Sequence, residues 1–173
     1  FSLSLSAFRS DFSNFQLNTF NGAVYIVQTV NGCSNDLGGA DRDSSNATGA
    51  CAASDVGYGV RAEGFELEAS LVPARNFRMA AGLTYANTSY RSNLVGNKSG
   101  APLDAVLRKL PGDNLSNAPE LVATSSLTWT PEIGGSGLTG LFYIDGRLTG
   151  DYNTGSDLFP QKEQDGYAIF NAR

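Results

Sequence analysis

The sequence predicts an all-β fold, a segment of about six strands from an antiparallel up-and-down transmembrane β-barrel. Polar and apolar residues alternate with period two over long stretches, which indicates strands with two chemically different faces. Short turns alternate with long polar loops, as expected when strands cross a membrane between a side with terse turns and a side with large loops. No apolar run reaches 18 residues, so the sequence contains no candidate transmembrane helix.

Composition and charge exclude several classes of protein. The 12 Lys and Arg residues against 17 Asp and Glu give a net charge of −5, and no basic stripe is present, so we expect no nucleic-acid partner. Charged residues make up 17% of the chain, which is low for a soluble surface. Histidine is absent, so the usual nucleophilic triads, zinc sites and haem sites lack their base or ligand. We therefore expect no enzyme activity and no cofactor.

The clearest hairpin lies between residues 57 and 91. Its strands are predicted over 57–72 and 77–91, around a turn at Pro73-Ala74-Arg75. The alternate apolar positions on the two strands are Phe65, Leu67, Ala69, Leu71, Phe77, Met79, Ala81, Leu83 and Tyr85. Because this face is odd-numbered on both strands, the turn should hold an odd number of residues unless a β-bulge intervenes.

The segments before this hairpin predict one strand and one long loop. Residues 1–16 begin as a clean alternation whose phase breaks at Ala7-Phe8, and the rest of that stretch is predicted to climb out of the apolar layer. The polar segment 18–58 contains a β-rich run at 23–27 after the turn pair Asn21-Gly22, which predicts a small hairpin inside the loop.

Two cysteines lie in the same polar segment. Cys33 and Cys51 bracket a stretch rich in Gly, Asn, Asp and Ser, and their spacing fits no zinc pattern. The favoured interpretation is a loop-closing disulfide formed in an oxidising compartment, which the loop-entropy model values at about 3 kcal/mol. Two free thiols are the alternative.

The second half of the chain predicts two further long loops and three strands. The loop at 92–119 contains Pro102 followed by helix formers and a basic end, which predicts one or two helical turns over 102–109. Strands are predicted at 120–130, 138–152 and 165–173, with a compact turn at 131–137 and a polar loop at 155–164. The apolar face switches from odd at Trp129 to even at Phe142, so the compact turn should hold an even number of residues.

The two faces of the predicted strands differ in chemistry. The apolar face is well spaced, as contact with lipid allows, and Phe77, Trp129 and Tyr85 suit aromatic girdles, because eight residues of tilted strand climb about 20 Å. The opposite face is predicted to line a hydrated lumen with a charge network of Glu66, Glu68, Arg78, Asp145, Arg147, Asn171 and Arg173. In addition, Arg108, Lys109 and Tyr152 are candidates to touch an anionic or aromatic substrate from outside, with ordinary loop packing as the alternative.

Three short motifs carry a family resemblance. Gly64-x-Glu66-x-Glu68 precedes a short turn, Asn117-Ala118-Pro119 leads into a strand, and Tyr167-x-x-x-Asn171-x-Arg173 opens a late strand. In this order and spacing the chain resembles the barrel of TonB-dependent outer-membrane receptors over nearly its whole length.

The resemblance implies a 22-strand barrel in the bacterial outer membrane, with short periplasmic turns, long extracellular loops and an N-terminal plug. Such a receptor imports a scarce small nutrient (a siderophore, vitamin, carbohydrate or similar) with energy from TonB, which acts through the plug. The implied partners are outer-membrane lipid, a small-molecule substrate and TonB. The sequence shows no signal peptide, plug or energy-coupling box, and both ends look cut. Residues 1–173 are therefore expected to be part of a barrel domain, resembling its later strands.

Two other functions are compatible with a β-rich chain of this composition. A secreted adhesion or carbohydrate-binding module would fold cooperatively in water without detergent. A passive porin-like barrel would keep the membrane fold, lack a plug and conduct ions in planar bilayers.

Overall fold

The computed structural model describes residues 1–13, 15–20, 25–30, 32–33, 56–91 and 112–173, and strands make up most of their regular structure. In chain order the strands are β1 (Ser2–Phe12), β2 (Phe15–Phe20), β3 (Tyr25–Val30), β4 (Gly32–Cys33), β5 (Val56–Gly57), β6 (Val60–Ala74), β7 (Phe77–Tyr90), β8 (Leu121–Trp129), β9 (Glu132–Ile133), β10 (Leu138–Thr139), β11 (Phe142–Thr149), β12 (Tyr152–Asn153), β13 (Glu163–Gln164) and β14 (Tyr167–Ala172).

The six long strands form one antiparallel sheet in the order β1-β6-β7-β8-β11-β14. Strands that follow one another in the sheet also follow one another along the chain, apart from the small strands of the connections, so the topology is up-and-down. Within the described residues, β1 and β14 each have a neighbour on one side only, and the sheet is not closed. The predicted fold class, a six-stranded segment of a β-barrel, is confirmed.

Continuous register separates the two faces of the sheet. One row of paired residues crosses all six strands as Leu5, Leu67, Leu83, Ala123, Leu148 and Ala168. The adjacent row is Ser4, Glu68, Gly82, Thr124, Arg147 and Ile169. Since neighbouring residues of a strand point to opposite faces, these rows belong to an apolar face and a polar face.

The apolar face has no second layer of described residues packed over it. Leu5 is 69% exposed, Phe142 is 54% exposed and Phe170 is 73% exposed. Trp129 and Phe142 stack with ring centroids 5.3 Å apart near the short turns, and the Phe65 and Tyr85 rings lie 5.7 Å apart toward the long loops. A soluble sandwich would bury such side chains, whereas a membrane wall presents them to hydrocarbon.

The turn between β6 and β7 differs from the prediction. Pro73 and Ala74 remain in the strand, and the turn consists of Arg75 and Asn76, so its predicted position is wrong, and its even count is the exception that the prediction made for a β-bulge. A register shift between Leu71 and Ala74 compensates, because the irregularity restores the odd-numbered apolar face on both strands. Proline suits such a position, where no ladder hydrogen bond is required of its nitrogen.

The connection between β8 and β11 contains a small hairpin. Strands β9 and β10 pair around residues 134–137, an even count as predicted, and Gly134 and Gly137 supply the positive φ angles of 62° and 76°. The predicted single strand at 138–152 is wrong, because it is divided into β10, β11 and β12. The chain bends at Gly140, whose N–H bonds to the Pro131 carbonyl, and again at Gly150, whose N–H bonds to the Leu121 carbonyl.

The end of the sheet with the long loops has a packed core. The small hairpin predicted around residues 23–27 is confirmed as β2 and β3. The strand β1 ends at Phe12 and not at residue 16 as predicted.

Five apolar or aromatic residues form the core at this end, and they are Leu17, Val30, Val60, Tyr90 and Leu158. Val60 and Tyr90 lie on the polar face by register, so at this end the loops pack over the inside of the sheet.

The chemistry of the faces changes along β1, although its backbone register does not. Pairing with β6 is uninterrupted from Ser2 to Phe12, so the predicted phase break at Ala7-Phe8 is absent from the backbone. Beyond Ala7 the apolar face continues as Arg9 and Asp11, and the polar face continues as Phe8 and Phe12.

Helices contribute little to the described residues. The stretch at 160–162 forms one 3-10 turn, and no helix in the described ranges has the length and apolar character needed to cross a membrane. The predicted helical turns at 102–109, with Arg108 and Lys109, lie outside the described residues. Cys51 does too, so the disulfide between Cys33 and Cys51 stays a prediction.

Candidate functional site

The seven residues of the predicted charge network all lie on the polar face. They occupy even positions on β6 and β7 and odd positions on β11, on β14 and, for Arg173, directly after β14, and the register aligns these positions across the sheet. They are Glu66, Glu68, Arg78, Asp145, Arg147, Asn171 and Arg173. Sharing a face places them along one surface without bringing them all into contact.

A groove of about 650 Å³ runs along this face. Glu68 lies on one side and Asp145 and Arg147 lie on the other, while Gly82 and Thr124 occupy the same row between them. Three strand-to-strand steps separate Glu68 from Arg147, which corresponds to roughly 14 Å. The groove therefore has an acidic side, a mixed side and a floor of small residues.

The floor residues were not among the predicted site residues. Ser4, Ser70, Gly82, Thr124 and Ser126 line the groove. A Cβ added to Gly82 would lie 2.8 Å from the Thr124 hydroxyl oxygen, so glycine keeps the floor open. The available signal was the Ser and Thr alternation on β1 and β8, which marks the polar face but carries no charge.

Contacts within the predicted set are local. The Asn171 side-chain amide donates to an Asp145 carboxylate oxygen at 2.9 Å, and the Arg173 guanidinium lies 4.9 Å from the centre of the Tyr143 ring. The Ser6 hydroxyl reaches Glu66 at 3.5 Å. Arg78 lies apart near the short turn, beside a depression of about 200 Å³ that Thr128 also lines.

Tyr152 is half-buried at the end of the sheet with the long loops. It begins β12, opposite Gln164 of β13. A hydrogen bond with the Tyr167 side chain raises the pKa of Tyr152 above its ordinary value, and burial of the phenol acts in the same direction. Arg147, a residue of the groove, lowers the pKa of the same phenol electrostatically, which is the weakest of these effects.

A second cavity, of about 290 Å³, lies between the loop at 112–119 and the loop at 150–166. Tyr152 and Asn153 line it together with Asp113, Asp151, Glu163 and Asp165. In the part of the chain that the structure describes, no three His, Cys, Asp or Glu side chains are arranged to hold a metal ion.

A comparison with known families identifies the family of this chain. The family model described as "TonB dependent receptor-like, beta-barrel" matches residues 1–173. The chain belongs to this family. The match confirms the resemblance inferred from the motifs. TonB-dependent receptors are transporters of the bacterial outer membrane and not enzymes. No curated protein matches the chain.

The glycine of the first receptor motif has a structural role. A Cβ on Gly64 would lie 1.9 Å from the Tyr85 carbonyl oxygen and 2.9 Å from the Ala86 Cα, so β6 and β7 approach too closely here for any other residue. Gly64 pairs with Phe8 and Ala86 across the sheet. Close to this level the apolar side chains of β1 pass from one face of the sheet to the other.

The second receptor motif joins two extracellular loops. Asn117 has a positive φ of 56°, its backbone N–H donates to the Asn153 carbonyl at 2.7 Å, and its side-chain amide donates to the Thr154 carbonyl at 3.3 Å. Asn153 in turn accepts from the Gly155 N–H and donates to the Phe159 carbonyl. The motif thus connects the chain entering β8 to the loop between β11 and β14.

The third receptor motif lines the polar face of β14. The Asn171 amide donates to Asp145, and the Arg173 guanidinium lies over the Tyr143 ring. Two residues of this motif therefore have a partner on β11, and the third, Tyr167, raises the pKa of Tyr152 in the loop that follows β11.

Proposed function

We propose that residues 1–173 are part of the barrel domain of an outer-membrane active-transport receptor. In this proposal the apolar face contacts membrane lipid, the polar face lines the lumen, and strands outside these residues complete a barrel of about 22 strands. Unpaired edges such as those of β1 and β14 are costly in hydrocarbon, which supports pairing with further strands in the complete barrel.

The observation that carries the proposal is the pair of adjacent rows that cross the whole sheet. The apolar row of Leu67 and Leu83 suits hydrocarbon, while the row of Glu68 and Arg147 would be too costly there and suits water. The family to which the chain belongs consists of transport receptors, which supports a transport role for this sheet. In the proposed receptor, TonB supplies the energy through a plug domain.

The groove on the polar face is the proposed contact surface for a small nutrient. Glu68 on one side and Arg147 on the other offer an acceptor and a donor about 14 Å apart, and the small floor residues leave room between them. Tyr152 extends this surface toward the outside. In the same proposal Arg108 and Lys109 approach the substrate from the loop between β7 and β8.

The test uses the gene for the full-length receptor in its own host. The gene is deleted, and growth is measured on limiting ferric siderophores, vitamins or oligosaccharides with and without a functional TonB gene. We expect a growth defect on one of these nutrients that wild-type receptor corrects only when TonB is present. In this assay, Glu68→Ala and Arg147→Ala should raise the nutrient concentration needed for half-maximal growth about tenfold, while Arg78→Ala, outside the groove, serves as the control.

Each rival function has its own signature in this experiment. Growth restored equally without TonB would identify a passive pore and overturn active transport. A receptor that is recovered folded in water without detergent would identify a secreted module and overturn the membrane placement. If the groove variants behave like Arg78→Ala, the transport proposal stands but the groove is not the contact surface.

A further inference from the structure

The hairpin of β9 and β10 continues the β8–β11 pair in the same register. Trp129 pairs with Phe142 in the large sheet, and Ile133 pairs with Leu138 four residues further along both strands. Because four is an even number, alternation keeps these side chains on one side, which is the apolar face of the sheet. We call residues 130–141 the β9–β10 ribbon. Among the described strands, β9 and β10 pair only with each other, so the ribbon extends beyond the sheet.

The outward side of the ribbon is apolar and exposed. Ile133 is 54% exposed and Leu138 is 64% exposed. A Cβ added to Gly140 would lie 3.4 Å from Pro131 Cγ and 3.7 Å from Ile133 Cδ1. The Phe142 ring would lie 3.6 Å from the same Cβ, so apolar side chains from the sheet and from the ribbon converge over this glycine. The apolar face therefore continues from the sheet into the ribbon without interruption.

The ribbon carries a single charge, which lies on its other side. Glu132 is the one charged residue between positions 130 and 141. It pairs with Thr139, and alternation places Thr130 and Leu141 on the same side as this pair. The outward side of the ribbon thus offers no cation to a phosphate group. Its chemistry suits hydrocarbon, in which a charged side chain would be costly.

The ribbon extends the apolar face to the thickness of a bilayer. Leu121 pairs with Tyr85 toward the long loops, and it lies eight residues from Trp129. At about 3.3 Å per residue and a tilt near 40°, eight residues span roughly 20 Å, which is less than an apolar band about 25 Å tall. The twelve residues from Leu121 to Ile133 span roughly 30 Å, which matches the hydrocarbon core. The tip of the ribbon therefore lies at the level where the hydrocarbon ends.

We propose that the β9–β10 ribbon inserts Ile133 and Leu138 into the periplasmic leaflet of the outer membrane, where acyl chains meet headgroups. This inference rests on the proposed membrane placement, in which the short turns lie on the periplasmic side. The occupant is the acyl region of phospholipid, because the apolar side of the ribbon continues the membrane-facing side of the sheet and more than half of each side chain is exposed. Insertion is driven by the hydrophobic effect and is independent of headgroup charge.

The first test uses full-length receptor in phospholipid vesicles, with a small fluorescent amino acid introduced at position 138 or at position 139. Position 139 has nearly the same height but lies on the opposite side of the ribbon. The quenchers are phospholipids brominated on their acyl chains near the headgroup, and aqueous iodide. We expect the brominated lipid to quench the label at 138 about threefold more strongly than the label at 139, in zwitterionic and anionic vesicles alike.

A second measurement leaves Ile133 and Leu138 in place. The fluorescent amino acid replaces Gly135, where an added Cβ meets no atom within 4 Å. The double variant Ile133→Ser with Leu138→Ser should raise iodide quenching of this label about twofold, because the ribbon no longer gains free energy by burying apolar area in the membrane. Thr139→Ser, a change on the opposite side of the ribbon, should leave the quenching as it is in the wild type.

Three results would overturn the inference. Equal iodide quenching at 138 and 139 would place both sides of the ribbon in water. Protection of position 138 from both quenchers would show that protein covers it, either a second copy or another partner. Unchanged quenching of the label at 135 in the double variant would show that the two apolar side chains do not hold the ribbon in the membrane.

A label at position 83 separates this inference from the proposed function. Leu83 lies on the apolar face of the sheet itself. If the brominated lipid quenches the label at 83 but not the label at 138, the insertion of the ribbon is refuted and the membrane placement stands. If it quenches neither label, the membrane placement fails and the proposed function fails with it.

Discussion

Gly64 shows why a residue without charge or reactive groups belongs to a receptor motif. The backbones of β6 and β7 come so close at this position that a methyl group would overlap the Tyr85 carbonyl oxygen. The period-two alternation does not single out Gly64, because glycine is compatible with the apolar face and with the polar face. The close approach is a property of two strands and is not visible in one of them.

We expect Gly64→Ala to destabilise the full-length receptor by about 2 kcal/mol or more, since the backbone must separate to admit the methyl group. The measurement is urea-induced unfolding of the receptor in detergent micelles. Gly135→Ala is the control, because an added Cβ there meets no atom within 4 Å, and it should change the stability by less than about 0.5 kcal/mol. Equal effects of the two variants would contradict the close approach.

Asp157 is a buried carboxylate whose counter-ion comes from the same loop. The Lys162 ammonium pairs with it, and the Phe159 N–H donates to it at 3.4 Å. We expect Lys162→Met to destabilise the loop by about 1 to 3 kcal/mol. This cost is lower than that of breaking a fully buried ion pair, because Lys162 is about half exposed. The measurement is hydrogen exchange at the amides of 155–162. Adding Asp157→Asn should recover much of the loss, and a double variant no more protected than Lys162→Met would refute the pairing.

At the scale of elements, the loop between β11 and β14 is ordered by amide side chains. Asn153 makes two hydrogen bonds inside the loop, and its carbonyl accepts one from Asn117. The loop also contributes Leu158, which is buried at a positive φ of 52°. A loop held in this way keeps Tyr152 in one arrangement at the end of the sheet with the long loops.

We expect Asn153→Ala to raise the hydrogen-exchange rates of amides 154–162 in the full-length receptor roughly 10- to 100-fold. It removes two side-chain hydrogen bonds, each with a net contribution of about 0.5 to 1.5 kcal/mol. Gln161→Ala, a change at an exposed position of the same loop, should leave those rates within about twofold of wild type. Similar acceleration in both variants would show that Asn153 does not order the loop.

The strands were predictable where the alternation of polar and apolar residues within one strand is sufficient to identify it. The alternation over 64–72 and 77–85 identified both strands and both faces, and parity identified an even count in the β9–β10 turn. Strand ends and irregularities were not predictable in this way. The bulge at Pro73, the division at Gly140 and Gly150, and the end of β1 at Phe12 all depend on hydrogen bonds from distant segments.

The candidate site was predictable to the same extent. Period two places Glu68 and Arg147 on one face, but the groove between them depends on which residues are opposite one another across four strands. Gly82 and Thr124 become floor residues only through that register. Likewise, the link from Asn117 to Asn153 joins residues far apart in the sequence and leaves no periodic signal.

At the scale of the whole molecule, the assignment of the two faces can be tested on adjacent alanines. Ala81 is on the apolar face, four residues from both Phe77 and Tyr85, and Ala80 is on the polar face. We expect Ala81→Arg to destabilise the receptor by about 2 to 4 kcal/mol in lipid bilayers, because the guanidinium enters the middle of the hydrocarbon. Ala80→Arg places the same side chain in the aqueous lumen.

The comparison is made by equilibrium unfolding of both full-length variants in vesicles of the same lipid. Ala80→Arg should cost less than about 1 kcal/mol. A larger cost for Ala80→Arg than for Ala81→Arg would reverse the assignment of inside and outside, and the transport proposal would fail with it.

The exchange of chemistry along β1 and β6 also sets how deep the wall can sit. Sliding the sheet inward by two residues would submerge Arg9 and Glu63, and sliding it outward by two residues would lift Phe65 to the level that Glu63 now occupies. Each displacement carries a free-energy cost, so the wall has one preferred immersion depth. A bilayer of another thickness would therefore have to thin or thicken locally to match the apolar band of the protein.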